Sequence, residues 1–547
     1  MESQRTFLFI GLLLVSFLLF QEWNNEKLQA NTDTSATTQQ VAAPANQIAQ
    51  EDDVPASTQN DVPAAVSKAV RSVITVTTDL LAVQIDTKGG DIVEAKLLQH
   101  AETHGSDTPF LLLGEFEGRE YISQSGLIGL NGPDASPEGR PVYTAQQKAY
   151  ELSGDELRVP LTFVDNKGVQ YTKTYVFKAG KYDVGLEYSV NNGTENPIQV
   201  QLYTQVKRTV QAKGSMVDQT YLGATYGTSE EPYEKYSFED MAEANLNKNT
   251  QGGYIAFIQH YFLSAWVPDQ SVNNTIYTLL RNNQGIIGIK GEAVNVQANT
   301  TATINSTFYM GPKDGDTLEA LHEDLDLAVD FGWLWFISQP LLVLLKLLYS
   351  FIGNWGVAII AITILVKMAL YPLTKAQYTS MAKMRALQPK MQQLKERYGD
   401  DRQKMGQATM ELYRKEKVNP MGGCLPLLLQ MPIFLALFYV FLESPELRHA
   451  EFMFWLTDLS AKDPYYVLPI LFGASMFLTQ KLQPMTVTDP MQQKMMTYMP
   501  IVFTFFFILF PFPSGLVLYW LVSNLITIAQ MLYIYRGMEK QGIKVRD

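Results

Sequence analysis

Two hydrophobic rhythms divide this chain of 547 residues. From Val73 to Phe308 apolar and polar residues alternate, the period of a half-buried strand. Val73–Asp86, Tyr171–Phe177, Val184–Val190, Val200–Val206, Ile276–Leu280 and Val294–Phe308 read as strands, with Gly89-Gly90 and Asn192-Gly193 as turns. Residues 71–330 are therefore expected to form an all-β sandwich. Beyond it the alternation gives way to long apolar runs. Trp355–Leu373, Gly422–Leu442, Tyr465–Leu482, Met496–Pro511 and Ser514–Tyr535 read as helices that cross a bilayer, at about 1.5 Å per residue. Tyr465–Leu482 and Met496–Pro511 are short for that task, which bilayer thinning or packing against neighbours accommodates.

A sixth apolar run, Thr6–Phe20, lies between Arg5 and Gln21-Glu22-Trp23. No small-residue cleavage site follows it directly, so residues 1–22 are expected to stay as an anchor. Residues 23–70 are rich in Ala, Thr, Gln, Pro and Asp without apolar period and read as a disordered linker. Phe331–Ile352 is apolar too, but Trp333, Trp335, Pro340 and Lys346 suit a helix lying in the outer interface. The remaining boundaries follow: 353–535 for the helical core, 375–417 for a helical hairpin within it, and 536–547 for a tail.

Charge orients these pieces. Residues 23–330 hold 21 Lys and Arg against 40 Asp and Glu, a net of −19, while the rest of the chain nets +7. So acidic a block excludes DNA as its partner. The hairpin 375–417 carries eleven basic residues, and Arg536, Lys540, Lys544 and Arg546 follow the last run. Glu443–Pro464 carries only Arg448 and Lys462 against five acids. Basic loops stay on the cytoplasmic side, so the hairpin and both termini are expected inside, and the acidic block outside. In the hairpin Met381, Met384, Met391 and Leu394 recur near helical spacing until Gly399-Asp400-Asp401, and Asn419-Pro420 stops the second arm. Met side chains adapt to varied apolar partners, and basic ones attract anionic lipid or RNA. Met381, Lys383, Met384, Arg385, Lys390 and Arg397 are thus candidate docking residues, against a plain alternative of a charged loop kept for topology.

Chemistry is scarce elsewhere. Cys424 is the single cysteine, so no disulfide staples the β block, and five scattered His offer no zinc site. Glu230, Glu231, Glu234 and Asp240 fall in an expected loop at 226–250 and read as solvated surface. There is no Walker loop. The exception is Lys367, placed within an apolar run where a lysine costs roughly 2.5–3.5 kcal/mol to insert. Thr363 lies four residues before it and Thr374 seven after, on one expected helical stripe. Gln430, Thr479, Thr504, Tyr519, Ser523, Asn524, Thr527 and Gln530 are the other polar positions in the apolar runs. Any one of them is plainly read as an interhelical hydrogen bond. Lys367 is not, because no acid lies inside a run to neutralise it. A hydrated, positively charged groove is expected, able to receive an acidic peptide end, or a small anion if the chain is a channel. An anchored enzyme is the third class, and it would need a catalytic constellation in the β block.

The stretches YPLTKAQYTSMAKMRALQPK (371–390), KVNPMGGCLPLLLQMPIFLALF (417–438), DPYYVLPILFG (463–473), TDPMQQKMMTYMP (488–500) and FPSGLVLYW (512–520) resemble the YidC insertase family, shared by bacteria, mitochondria and chloroplasts. The resemblance covers about 330–540, and the anchor and β block are arranged as in the Gram-negative form. It implies a polytopic α-helical membrane protein with six transmembrane helices, five of them an insertase core, plus a periplasmic β-supersandwich in the inner membrane of a bacterium. It implies a non-enzymatic insertase and chaperone without cofactors. Its partners would be nascent membrane proteins, the Sec translocon, the ribosome and the lipid bilayer. It places a basic groove residue at Lys367, and with the polar and aromatic positions around it the substrate groove is expected at Lys367, Thr363, Gln430, Thr504, Tyr519, Trp520, Ser523, Asn524 and Thr527. In that family the position of Lys367 is usually Arg, so the charge is kept and the five-donor fork is lost. The Phe510-Pro511-Phe512-Pro513 stretch is longer than the family's usual turn.

Overall fold

Alternation does become sheet. The computed structural model describes residues 54–55, 72–116, 118–210, 221–398, 401–416, 418, 421–482, 490–510 and 512–540. The expected anchor Thr6–Phe20, nearly all of the linker, Gly399-Asp400, Asn419-Pro420, Pro511 and the last seven residues lie outside them. Two sheets, of ten and nine strands among the described residues and antiparallel but for the pairing of Val73–Thr77 with Ala149–Glu151, face each other across one apolar core. The larger is centred on Ile198–Thr209, paired with Arg119–Ile128 and Gln284–Val296. The smaller is centred on Thr300–Pro312, between Asp183–Asn192 and Phe262–Pro268. Val76, Val83, Leu161, Tyr188 and Trp266 fill the space between them with no more than traces of exposure. The all-β sandwich is present.

Three expected segments resolve differently. Val73–Asp86 is two strands, Val73–Thr77 and Leu81–Asp86, because the Thr78 hydroxyl accepts from the backbone N–H of Leu80 and Leu81 and closes a turn. Val294–Phe308 bridges two strands, Gln284–Val296 and Thr300–Pro312, with Asn299 taking the left-handed conformation at the turn. The expected loop 226–250 is largely structured. Asp240 and Ser237 form a capping box that starts helix α1 (Phe238–Glu243). Glu231 pairs with Lys248.

One polar cluster interrupts the sandwich core. The Arg140 guanidinium grips Asp91 and donates from Nε to Asp134 at 2.8 Å. Lys173, fully buried, donates to the carbonyls of Gly89 and Ser125 at 2.9 and 3.0 Å. Two cations thus face two carboxylates, and the cluster is formally neutral. Gly89 and Gly90 both have positive φ, and a Cβ on Gly89 would lie 2.3 Å from the guanidinium. The turn expected from Gly-Gly is therefore also the only way the backbone can pass so close.

After the sandwich come α2 (Gly315–Leu321), α3 (Trp335–Ile352), α4 (Trp355–Ala369), α5 (Tyr371–Ala386), α6 (Gln388–Tyr398), α7 (Arg402–Lys415), α8 (Met421–Glu443), α9 (Val467–Leu482), α10 (Pro490–Leu509) and α11 (Ser514–Glu539). Residues 487–499 belong to a separate compact unit, whose described part is the helical segment from Pro490. Among the described residues, Gly332–Ile352 and Ser514–Glu539 are long and apolar enough to cross a membrane, and α8, α9 and α10 contribute shorter apolar segments. The expected single span Trp355–Leu373 is broken instead. Leu370 separates α4 from α5, which bend by 62°. Pro372 explains the break, since its ring clashes with the carbonyl one turn earlier and it offers no N–H.

The outer face of the smaller sheet packs on the helices. Tyr254, Leu263 and Tyr309 share a core with Phe331, Leu437 and Leu516. Lys313 and Glu443 pair at 2.9 Å, both almost wholly buried. Arg448, in the loop after α8, donates to the carbonyl of Ala101 at 2.7 Å and lies over the rings of Phe110 and Phe262. His100 stands beside it. Burial, then Arg448 and His449, push the His100 imidazole down to about 4. A His charged in the unfolded chain near 6.5 but neutral when folded contributes stability that is complete above pH 6.5 and lost as pH falls toward 4. Unfolding of the full chain in detergent is thus expected to be acid-sensitive in that window, and His100→Asn to be less so. Identical slopes of midpoint against pH for the two proteins would contradict this.

Candidate functional site

Lys367 falls in the last turn of α4, just before the bend. Its ammonium donates to the Thr527 hydroxyl on α11 at 3.0 Å, and that hydroxyl donates to the Ser523 carbonyl at 2.8 Å. Among the described residues no carboxylate pairs with it. Gln530, one turn further along α11, donates its amide to the Lys367 carbonyl at 3.1 Å. The bend leaves carbonyls at the end of α4 short of helical donors, and Gln530 supplies one. Lys367 is held at both ends, side chain by Thr527 and backbone by Gln530.

The remaining polar positions make a broken chain of contacts. Gln430 on α8 donates to the Thr374 hydroxyl on α5 at 3.4 Å, and Asn524 on α11 to the Ser475 hydroxyl on α9 at 3.2 Å. Ser523, Asn524, Thr527 and Gln530 are all half-buried. α11 therefore turns a polar face toward its neighbours.

Thr363 and Thr504 behave otherwise. Each returns its hydroxyl proton to its own helix, Thr363 to the Ile359 carbonyl at 2.6 Å and Thr504 to Pro500 at 2.7 Å. Thr363 is 1% exposed. The expected stripe of Thr363, Lys367 and Thr374 does not exist as one face, because the bend puts Thr374 on another helix. A Cβ on Gly473 would lie 1.8 Å from the Thr504 hydroxyl, so Thr504 marks a close crossing of α9 and α10. Tyr519 and Trp520 are buried in an aromatic cluster with Phe434, Phe441, Phe472 and Phe507. The Trp520 indole N–H has no hydrogen-bond partner among the described residues.

On the hairpin, Lys383, Lys390 and Arg397 are exposed, while Met381, Met384 and Arg385 are half-buried. Lys390 pairs with Glu416 at 2.5 Å, tying α6 to the end of α7. Met381 packs beside Tyr378, Met531 and Tyr535, so it serves the seam with α11. Of the functional contacts, sequence reasoning missed the role of Gln530 at the bend and the Ser475 partner of Asn524. Pro372 next to an apolar run was the available signal for the first.

Comparison with known proteins agrees with this layout. Residues 73–344 match the family described as the YidC periplasmic domain, and residues 347–541 the family described as 60Kd inner membrane protein. The membrane protein insertase YidC of Pseudoalteromonas translucida is 72% identical over 547 residues, all of both chains. That of Shewanella loihica is 54% identical over 552 residues, again spanning both chains. A crystal structure of an active YidC insertase with its first transmembrane domain resolved aligns with 86% of this chain and 94% of its own, at 21% identity and a TM-score of 0.38. With more than two thirds of positions shared along its whole length with the first of these relatives, the chain belongs to the YidC family of membrane protein insertases.

Proposed function

We propose that this protein inserts nascent membrane proteins into the bacterial inner membrane through a hydrated groove floored by Lys367. The observation that carries the reading is Lys367 itself, a half-buried cation in an apolar bundle whose side chain meets a hydroxyl rather than a carboxylate. Such a charge needs water or an anionic visitor. Acidic residues in the translocated end of a substrate supply the anion transiently. The hydroxyls and amides of Gln430, Ser523, Asn524 and Thr527 keep the groove wet. The aromatic cluster of Tyr519 and Trp520 is the apolar wall along which a hydrophobic segment leaves for lipid.

The β domain lies on the periplasmic side and the basic hairpin in the cytoplasm, with both termini cytoplasmic. Lys346, about two thirds of the way along α3, meets Asp314 at 3.1 Å, at the edge of the β domain, and Glu446 at 2.9 Å, in the loop after α8. A helix tied to carboxylates within its length fits the outer interface better than the bilayer centre. The exposed Lys383, Lys390 and Arg397 would receive the ribosome, and the same groove would act as chaperone for chains delivered by the Sec translocon. Proteoliposomes of the full chain should insert a small two-span protein without any energy source, and should pass no small anions without a nascent chain. Anion flux without insertion would favour a channel. Removing residues 72–312 should leave insertion largely intact, and its complete loss in a folded, membrane-integrated helical core would favour an activity of the β domain.

A further inference from the structure

Outside the groove one cavity stands apart by its chemistry. It holds about 320 Å³ where α2, α3 and the loop Ser444–Glu446 meet. Four carboxylates line it, Asp316, Glu319, Asp326 and Glu446, against the ammonium groups of Lys313 and Lys346. Lys313 already pairs with Glu443, and Lys346 meets Glu446 at 2.9 Å, Asp314 at 3.1 Å and Asp316 at 3.7 Å, so both cations of the wall are engaged and the lining carboxylates outnumber them. The wall therefore keeps an excess of negative charge. Burial, then Glu319, push the Asp326 carboxyl up, as expected where a carboxylate lacks a cation beside it.

Two oxygens sharpen the picture. The Ser444 hydroxyl, in a residue 2% exposed, and Glu446 Oε2 are both buried without a hydrogen-bond partner among the described residues. Buried polar atoms left unpaired are costly, and both belong to residues lining this cavity. A divalent metal does not fit. Among the described residues no three His, Cys, Asp or Glu side chains are gathered closely enough to hold one. The cation that suits this wall is larger and carries its own hydrogen-bond donors.

The surroundings say where it comes from. Val343, which lines the cavity, is 66% exposed, and Leu347 and Phe351 continue an open apolar face along α3. Trp333 and Trp335 are exposed at its start. With α3 in the outer interface, as proposed above, this face lies among acyl chains and the cavity at head-group level. We propose that the cavity binds the head group of a phospholipid bearing a primary ammonium next to its phosphate, the phosphoethanolamine class. The ammonium meets Asp316, Glu319 and Asp326. The phosphate lies within reach of Lys346 and the Ser444 hydroxyl.

Titration of the detergent-solubilised full chain with single lipids, followed by native mass spectrometry, tests this independently of insertion. Phosphatidylethanolamine should bind about tenfold more tightly than phosphatidylcholine, whose quaternary nitrogen has no N–H to donate. Phosphatidylglycerol, anionic without an ammonium, should bind no better than phosphatidylcholine. The double variant Asp316→Asn, Glu319→Gln changes only exposed side chains, so its fold should be kept and its preference lost. Equal binding of the three lipids, or an unchanged preference in the double variant, would overturn the site. Water-soluble phosphoethanolamine should not compete. Competition as strong as that of the lipid would overturn the membrane as its source.

Discussion

Replacing Lys367 by alanine is expected to slow insertion of substrates with acidic translocated ends by about tenfold or more, and to leave neutral ones much less affected. A charge-assisted hydrogen bond contributes roughly 1.5–3 kcal/mol, which is at least tenfold in rate if it forms only during passage. Lys367 meets the conditions for that. It is half-buried, it points at Thr527, and among the described residues no carboxylate of its own chain competes for it. Lys367→Arg should restore the rate, because charge survives the exchange even though the donor geometry changes. Lys367→Met should behave as alanine does, with more packing retained. The readout is the ratio of rates for paired substrates that differ only in the charge of the translocated end. A ratio unchanged by Lys367→Ala would remove the electrostatic role.

The second large effect is expected far from the groove. Arg140→Met should destabilise the β domain by about 3–5 kcal/mol, the usual cost of leaving buried charges without their partner. Asp91 and Asp134 would both lose the guanidinium, and the Ser125 carbonyl one of its donors. Lys173 is too far committed, to the Gly89 and Ser125 carbonyls, to replace it. The unfolding free energy of the β-domain transition should fall by that amount in the full chain, and its denaturant midpoint should fall with it. Insertion per folded molecule should stay near wild type, since no groove residue belongs to this cluster. An unchanged midpoint would mean that the cluster is not held by Arg140.

How much of this was legible in the sequence varies with the physics involved. Apolar period separated sandwich from helices because period 2 and period 3.6 are imposed by burial itself. It misplaced single boundaries where a local polar group ended an element, as Thr78 does between two strands. The proposed groove was legible only as far as its charge. An unneutralised lysine in an apolar run announces itself, whereas its partner does not. Thr527 and Gln530 were visible as polar positions of α11, but not that one takes the side chain and the other the backbone of Lys367. The stripe with Thr363 and Thr374 failed because it assumed a straight helix across Pro372. Burial of Tyr519 and Trp520 depends on four phenylalanines from three other helices, and no local pattern carries that.

The neutral outcome of these contacts also explains the economy of the site. Among the described residues the side chains that hydrogen-bond to Lys367, Thr527 through its ammonium and Gln530 through its carbonyl, are neutral, so its positive charge stays available. That is the central claim, and site-specific photocrosslinking tests it most directly. A crosslinker placed at Thr527 or Gln430, on the polar side, is compared with one at Leu525 or Leu365, exposed neighbours on α11 and α4. With a stalled nascent membrane protein whose translocated end is acidic, strong adducts are predicted at the first pair and weak ones at the second. Equal adducts at both pairs, or none near Lys367, would contradict the account.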